Sequence, residues 1–248
     1  MSALPEELGQ LVSALSPGSR NVEHAHRTYH IGTIGSVGVV LVYARIGKVA
    51  AAATATRLIA EFDCRGLIFT GVAGAIDPAL HVGDVVVATD LVQHDMDARP
   101  LFPRFEIPLL GVSRLPANAE LSQALQTAAE RYFKTGFHED VPPSVREEFG
   151  IHAPKVATGT IGSGDCFVSR SGEKAELASS IPGLRCVEME GAAVAQVCFE
   201  NGVPFAVART ISDTAGEGAA VDFVKFVGHV APAYAVGIVS GALDAVGG

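Results

Sequence analysis

Two apolar runs stop abruptly at acidic residues: Cys186-Val187-Glu188-Met189-Glu190-Gly191 and Ala206-Val207-Ala208-Arg209-Thr210-Ile211-Ser212-Asp213. Residues 192–201 between them are small and helix-forming, closed by Asn201-Gly202, and Pro204 opens the second run. That order of strand, helix and strand predicts two parallel strands with both acidic ends on one edge of a sheet. Open α/β sheets bind ligands at their carboxyl edge. Burying carboxylates there costs free energy, so their presence points to a chemical task.

Each acid has a plain reading beside the chemical one. Asp213 follows a wholly apolar strand, where it either starts a turn or stands partly desolvated as an acid for a leaving group. Glu188 and Glu190 are two apart, so on a strand they share a face; they are either solvated past its end or a bidentate grip on vicinal hydroxyls. Glu6 and Glu7 suit the first turn of a helix dipole. Gly71-Val72-Ala73-Gly74 allows close backbone approach but lacks the spacing of a dinucleotide or Walker loop. Gly162-Ser163-Gly164-Asp165-Cys166-Phe167 is a second glycine loop, with Phe167 either stacked on a flat ring or ordinary core. No GxSxG is present, and no histidine forms a nucleophile motif with a serine or cysteine.

Elements must position these residues. The pattern predicts a helix over 5–15 with Leu8, Leu11, Val12 and Leu15 on one face, strands over 27–35 and 37–44, and an alanine-rich helix over 48–62. A buried strand over 67–70 should end in the first glycine loop, and another runs over 85–92. Residues 99–110 read as irregular, with three prolines and Phe102 and Phe105. A helix over 118–133, a strand over 155–161, a short helix over 172–180 and one long closing helix over 221–246 complete the chain. Strands alternating with helices make an α/β protein with a parallel or mixed sheet.

The chain of 248 residues, 48% hydrophobic and without a linker, fits one domain over 1–248. Its net charge of −9 disfavours nucleic acid and leaves a small molecule as the expected partner. Cys64, Cys166, Cys186 and Cys198 are scattered, with no zinc spacing, and suit buried reduced thiols. The start does not read as a signal peptide, and the apolar stretches are too short for a membrane span. A cytoplasmic location is expected.

Val187-Glu188-Met189-Glu190 and Arg209-Thr210-Ile211-Ser212-Asp213 resemble the 5′-methylthioadenosine/S-adenosylhomocysteine nucleosidases of the nucleoside phosphorylase superfamily. Ala3-Leu4-Pro5-Glu6-Glu7, Arg45-Ile46-Gly47-Lys48, Thr70-Gly71-Val72-Ala73-Gly74, Val82-Gly83-Asp84 and Ser163-Gly164-Asp165-Cys166-Phe167 match in order along nearly the whole chain. The resemblance implies a three-layer α/β/α sandwich around a mixed, partly barrel-like sheet. It also implies hydrolysis of the N-glycosidic bond of an adenine nucleoside, without cofactor or metal. By the same resemblance Asp213, positioned by Ser212, serves purine N7 and Glu7 activates water, with Arg209 orienting the water and base. Glu190 and Met189 take the ribose, beside Glu188; Phe167 stacks on the purine, and the Val168 backbone reads its edge. Ile46 belongs to the helix-start motif.

Some positions depart from the family. An apolar strand usually precedes the acidic helix, Val72 replaces a serine near the water, and Arg45 replaces a small residue. Arg45 keeps a phosphate-dependent phosphorylase as the rival activity, although Phe69 and Val72 stand where such enzymes carry arginine and serine. A catalytically silent nucleoside binder is a third reading. Relatives are homodimers, so a homodimer is expected, with residues 99–110 as an interface loop. Val221 in place of a larger apolar residue predicts room for bulky 5′ groups.

Overall fold

The computed structural model describes residues 1–215 and 219–247. α1 (Pro5–Ser13) opens on a proline, whose missing N–H is tolerated in a first turn, and buries Leu8 and Leu11. β1 (Arg20–His24), β2 (Arg27–Ile34) and β3 (Val37–Leu41) form an antiparallel sheet turned at Gly35. β1 has no sequence signal because its polar side chains lie in solvent. α2 (Lys48–Phe62) carries Ala51, Ala55 and Leu58 on its buried stripe.

The rest of the chain builds a larger sheet and its helices. It runs β4 (Leu67–Ala75), β5 (Val85–Gln93), β6 (Leu115–Pro116), α3 (Ala119–Thr135), α4 (Phe137–Asp140), α5 (Pro143–Phe149) and β7 (Val156–Ser163). Then come α6 (Ser171–Ser180), β8 (Leu184–Glu188), α7 (Gly191–Asn201), β9 (Phe205–Asp213), α8 (Ala219–His229) and α9 (Ala231–Val246). Strands β5, β7, β8, β4 and β9 pair in that order, and β5 pairs again with β9, closing a mixed five-stranded barrel. One core packs Phe69, Leu91 and Val207 against the alanines of α2 and α7. A second packs Val85, Ala206 and Ala208 against Leu125 of α3 and Tyr234 and Ile238 of α9. This is the expected α/β/α layering around a barrel-like sheet.

Three expectations change. β8 and β9 are not parallel: β9 runs parallel to β4, whereas β8 runs antiparallel to it. Their acidic ends still converge, because β8 meets β4 only at Gly74↔Val187 and Ala75↔Cys186, and Gly74 also pairs with Asp213. β4 does not stop at Thr70 but continues to Ala75, since β9 offers it a partner as far as Asp213. The closing helix breaks at Val230, where Pro232 in the first turn of α9 cannot donate to a preceding turn.

α3 and α9 pack closely enough that a Cβ at Gly237 would overlap the Tyr132 ring. Gly237→Val is therefore expected to cost roughly 1–3 kcal/mol through overpacking. A lower urea midpoint with an unchanged slope would show it.

Candidate active site

Gly74 is where the two acidic strand ends meet, and the cleft opens beside it. It encloses about 690 Å³ counting its mouth and is lined by Glu7, Ile46, Val72, Phe167 and Val168. Val187 to Glu190, Arg209, Ser212 and Asp213 complete the same wall. Each residue singled out in the sequence as catalytic or substrate-binding thus reaches one cavity. Gly74 has to be bare: a Cβ there would lie 2.8 Å from Asp213 Oδ1.

Arg209 lies at the floor with 1% exposure. Its Nη2 donates to Glu188 and sits 3.6 Å from Glu190 Oε2, and its Cζ lies 4.3 Å from the Phe69 ring centre. Burial opposes its charge, but Glu188, Glu190 and Glu7 outweigh that and raise its pKa. Glu188 also accepts from Ser163 Oγ and from the amides of Glu190 and Gly191. β8 ends at Glu188, so Glu190 leaves the strand and stands at the N-cap position of α7, its side chain making no capping hydrogen bond there. Glu190 Oε1 accepts from the Gly47 amide at 2.9 Å. Burial, with Glu188 nearby, pushes Glu190 up to about 8.

Glu7 is buried 2% exposed at the third position of α1. Its Oε2 accepts from the amides of Ala3 and Leu4, each at 3.0 Å, which is half of a capping box. Its Oε1 accepts from the Val72 amide at 3.2 Å. Burial raises its pKa; Arg209 and these three amides oppose that shift without cancelling it. Gly71 must be bare as well, since a Cβ would overlap Arg209 Nη1 and lie 3.0 Å from Glu7 Oε1.

Asp213 is buried and starts a turn at the end of β9. Its Oδ1 accepts from the Ala215 amide at 2.8 Å, an Asx-turn, while Oδ2 accepts from Ser212 Oγ at 2.8 Å. The remaining wall is apolar: Val72, Val168 and Met189 with Leu4 and Phe223. Phe167 is 42% exposed and meets Phe223 edge to face at 5.9 Å. Sequence reasoning missed Phe69, Ser163, the Gly47 amide and Phe223. Ser163 and Gly47 stood inside noted motifs, but nothing local shows which donor faces which acid.

Arg45 does not line the cleft; its guanidinium donates to the His26 carbonyl at 2.6 Å. Phe102 and Phe105 are half-buried, and Leu101 and Leu109 are the exposed apolar residues of their loop. Cys186 and Cys198 are buried free thiols, whereas Cys166 is exposed beside the cleft. The side chain of Val221 lies outside the described residues. Among the described residues, no cluster of three His, Cys, Asp or Glu is placed to ligate a metal, and no helix is long and apolar enough to cross a membrane.

The sequence model of the phosphorylase superfamily matches residues 1–243. The chain belongs to the phosphorylase superfamily. This superfamily member is 35% identical over 238 residues to the 5′-methylthioadenosine/S-adenosylhomocysteine nucleosidase of Mycobacterium bovis, covering 92% of this chain and 90% of that one. It is also 35% identical over 228 residues to the aminodeoxyfutalosine nucleosidase of Campylobacter jejuni, again covering 92% and 90%. The crystal structure of the Neisseria meningitidis 5′-methylthioadenosine/S-adenosylhomocysteine nucleosidase in complex with methylthio-immucillin-A superposes with a TM-score of 0.86. Identity there is 29%, with 98% of this chain and 96% of that chain covered.

The cleft of this phosphorylase-superfamily protein makes its stability depend on pH. Glu190 goes from 4.5, its ordinary value, to about 8 on folding, so the folded state binds the extra proton between those values. Its contribution is complete below about pH 4.5 and is lost as pH rises through about 8. Glu190→Gln is expected to flatten the decline of stability over that window, measured by urea unfolding at a series of pH values.

Proposed function

We propose that this protein is a purine nucleosidase that hydrolyses the N-glycosidic bond of 5′-methylthioadenosine and/or S-adenosylhomocysteine, releasing adenine. One observation carries the reading: Glu7, Glu190, Arg209 and Asp213 reach one cleft whose remaining wall, apart from Glu188 and Ser212, is largely apolar. Phe167 stacks on the purine and the Val168 backbone reads its edge. Glu190, whose Oε1 accepts from Gly47 and whose Oε2 lies 3.6 Å from Arg209, takes the ribose diol, with Met189 against the sugar. Glu188 has its oxygens engaged by Ser163, two amides and Arg209, so its part is to hold Arg209.

The reaction follows from those placements. Asp213, oriented by the Ser212 hydroxyl, gives a proton or a strong hydrogen bond to N7. The pair of the C1′–N9 bond then leaves with a neutralised base. Positive charge spreads over the sugar as that bond stretches, and nearby carboxylates stabilise it. A water oxygen bonds to C1′ and its proton passes to Glu7, whose raised pKa improves it as a base near neutral pH. Arg209 Nη1, beside Gly71, faces the same space. Phosphate is a poor nucleophile here, because Arg209 already faces Glu188 and Glu190, and Arg45 is turned to His26.

The same apolar wall suits uncharged 5′ substituents, and the open mouth leaves room for longer ones. The relatives named above are nucleosidases of 5′-methylthioadenosine/S-adenosylhomocysteine and of aminodeoxyfutalosine. We assign the protein to the cytoplasm, in keeping with four free thiols, and to a homodimer, in keeping with Leu101 and Leu109 at 82% and 93% exposure.

Incubation of the pure protein with 5′-methylthioadenosine, with and without phosphate, tests the activity. Adenine and methylthioribose are expected at a rate indifferent to phosphate; a sugar 1-phosphate formed only with phosphate would establish a phosphorylase instead. Asp213→Asn should lower the rate by about 10²–10⁴-fold while adenine binding persists. Near-normal turnover in that variant would mean the acid is another group. In sedimentation the protein should run as a dimer, and the double variant Leu101→Asp, Leu109→Asp as a monomer.

A further inference from the structure

Arg209 is gripped at one nitrogen. Its contacts with Glu188 and Glu190 both run through Nη2, so these ion pairs hold only one end of the guanidinium. Nε adds no second point, because it is buried without a hydrogen-bond partner. Its Cζ lies over Phe69, a fully buried ring whose centre is 4.3 Å away. β4 and β9 pair with Phe69 opposite Val207 and Gly71 opposite Arg209, and strand residues two apart share a face. β4 therefore presents a ring and then bare backbone, a slot that takes a guanidinium against the ring. Nη1 is left beside Gly71, with Glu7 Oε1 across the same bare position.

We propose that Phe69 is a positioning residue for the hydrolysis: its π face holds the Arg209 guanidinium so that Nη1 is aimed at the water beside Glu7. This rests on the hydrolase reading and on Glu7 as the base. A buried cation is drawn to the negative face of an aromatic ring more strongly than an exposed one, because no water competes for it. An alkyl side chain of similar bulk fills the space but offers no such attraction. The nucleophile is held only by directed contacts, so a swing of about 1 Å at Nη1 would be felt in the chemical step.

Replacing Phe69 with mono-, di- and trifluorinated phenylalanines keeps its shape while progressively weakening the π face. The kcat for adenine release from 5′-methylthioadenosine should fall stepwise, by about 10- to 30-fold at the trifluoro stage, with KM within about 3-fold. The Arg209 Nε–H resonance, identified by its loss in Arg209→Lys, should exchange faster with water along the same series. Phe69→Leu should lose at least as much kcat as the trifluoro variant. A flat kcat across the fluorinated series overturns the proposal, and so does an unchanged exchange rate. If the unaltered protein releases no adenine, the hydrolase reading fails instead, and the exchange series then decides by itself whether Phe69 holds Arg209.

Discussion

A guanidinium buried among carboxyl groups sets the terms for the rest of this protein. Arg209 has almost no exposure, and Glu188, Glu190 and Glu7 all act on its charge. A buried ion pair seldom adds net stability over an apolar pair, but removing one partner leaves an uncompensated charge at about 3–5 kcal/mol. The surrounding chain is arranged so that no member is left alone. Glu188 has Ser163 and the amides that open α7, Glu190 has Gly47, and Glu7 has Ala3, Leu4 and Val72. Backbone amides serve this purpose well because they are strong donors already fixed by the fold.

The barrel supplies the geometry. A parallel pair of strands would have set the acidic ends side by side along one edge. The structure instead brings β8 and β9 to β4 from opposite directions, with Gly74 paired to both. This tip-to-tip meeting puts Asp213 on the same cavity as Glu188, Glu190 and Arg209. It also explains why bare positions cluster here: side chains at Gly71 or Gly74 would strike Arg209 or Asp213. The same closeness brings side chains from α1, β4, β8, β9 and the turn before α7 onto one cavity at once.

Much of this was legible from residue types. Asp213, Glu190 and Phe167 stood where chemistry was expected, Glu7 was singled out only through the family resemblance, and the alternation of strands and helices indicated the layers. The missing parts have physical reasons. β1 is polar and lies outside the core, so it leaves no apolar pattern. The break between α8 and α9 was signalled by Pro232 but hidden within continuous helical periodicity. Phe69 looked like core and is core; its second role appears only once the β4–β9 register sets Gly71 opposite Arg209. Arg45 looked like an anion site, yet its backbone has φ +74° and its side chain is directed to His26.

The sequence by itself determined the inventory: which acids, which arginine, which glycines, and the fold class able to bring them together. Burial periodicity and turn chemistry are local, so they can be read along the chain. Only the tertiary structure decided who faces whom. It gave Glu188 wholly to Arg209 and its neighbours, set Glu190 on the cleft wall between Gly47 and Arg209, turned Arg45 away, and set Phe69 against a cation. Those outcomes depend on register and on the direction in which distant strands meet. A two-stranded contact of two residues can reverse them without changing a single residue type.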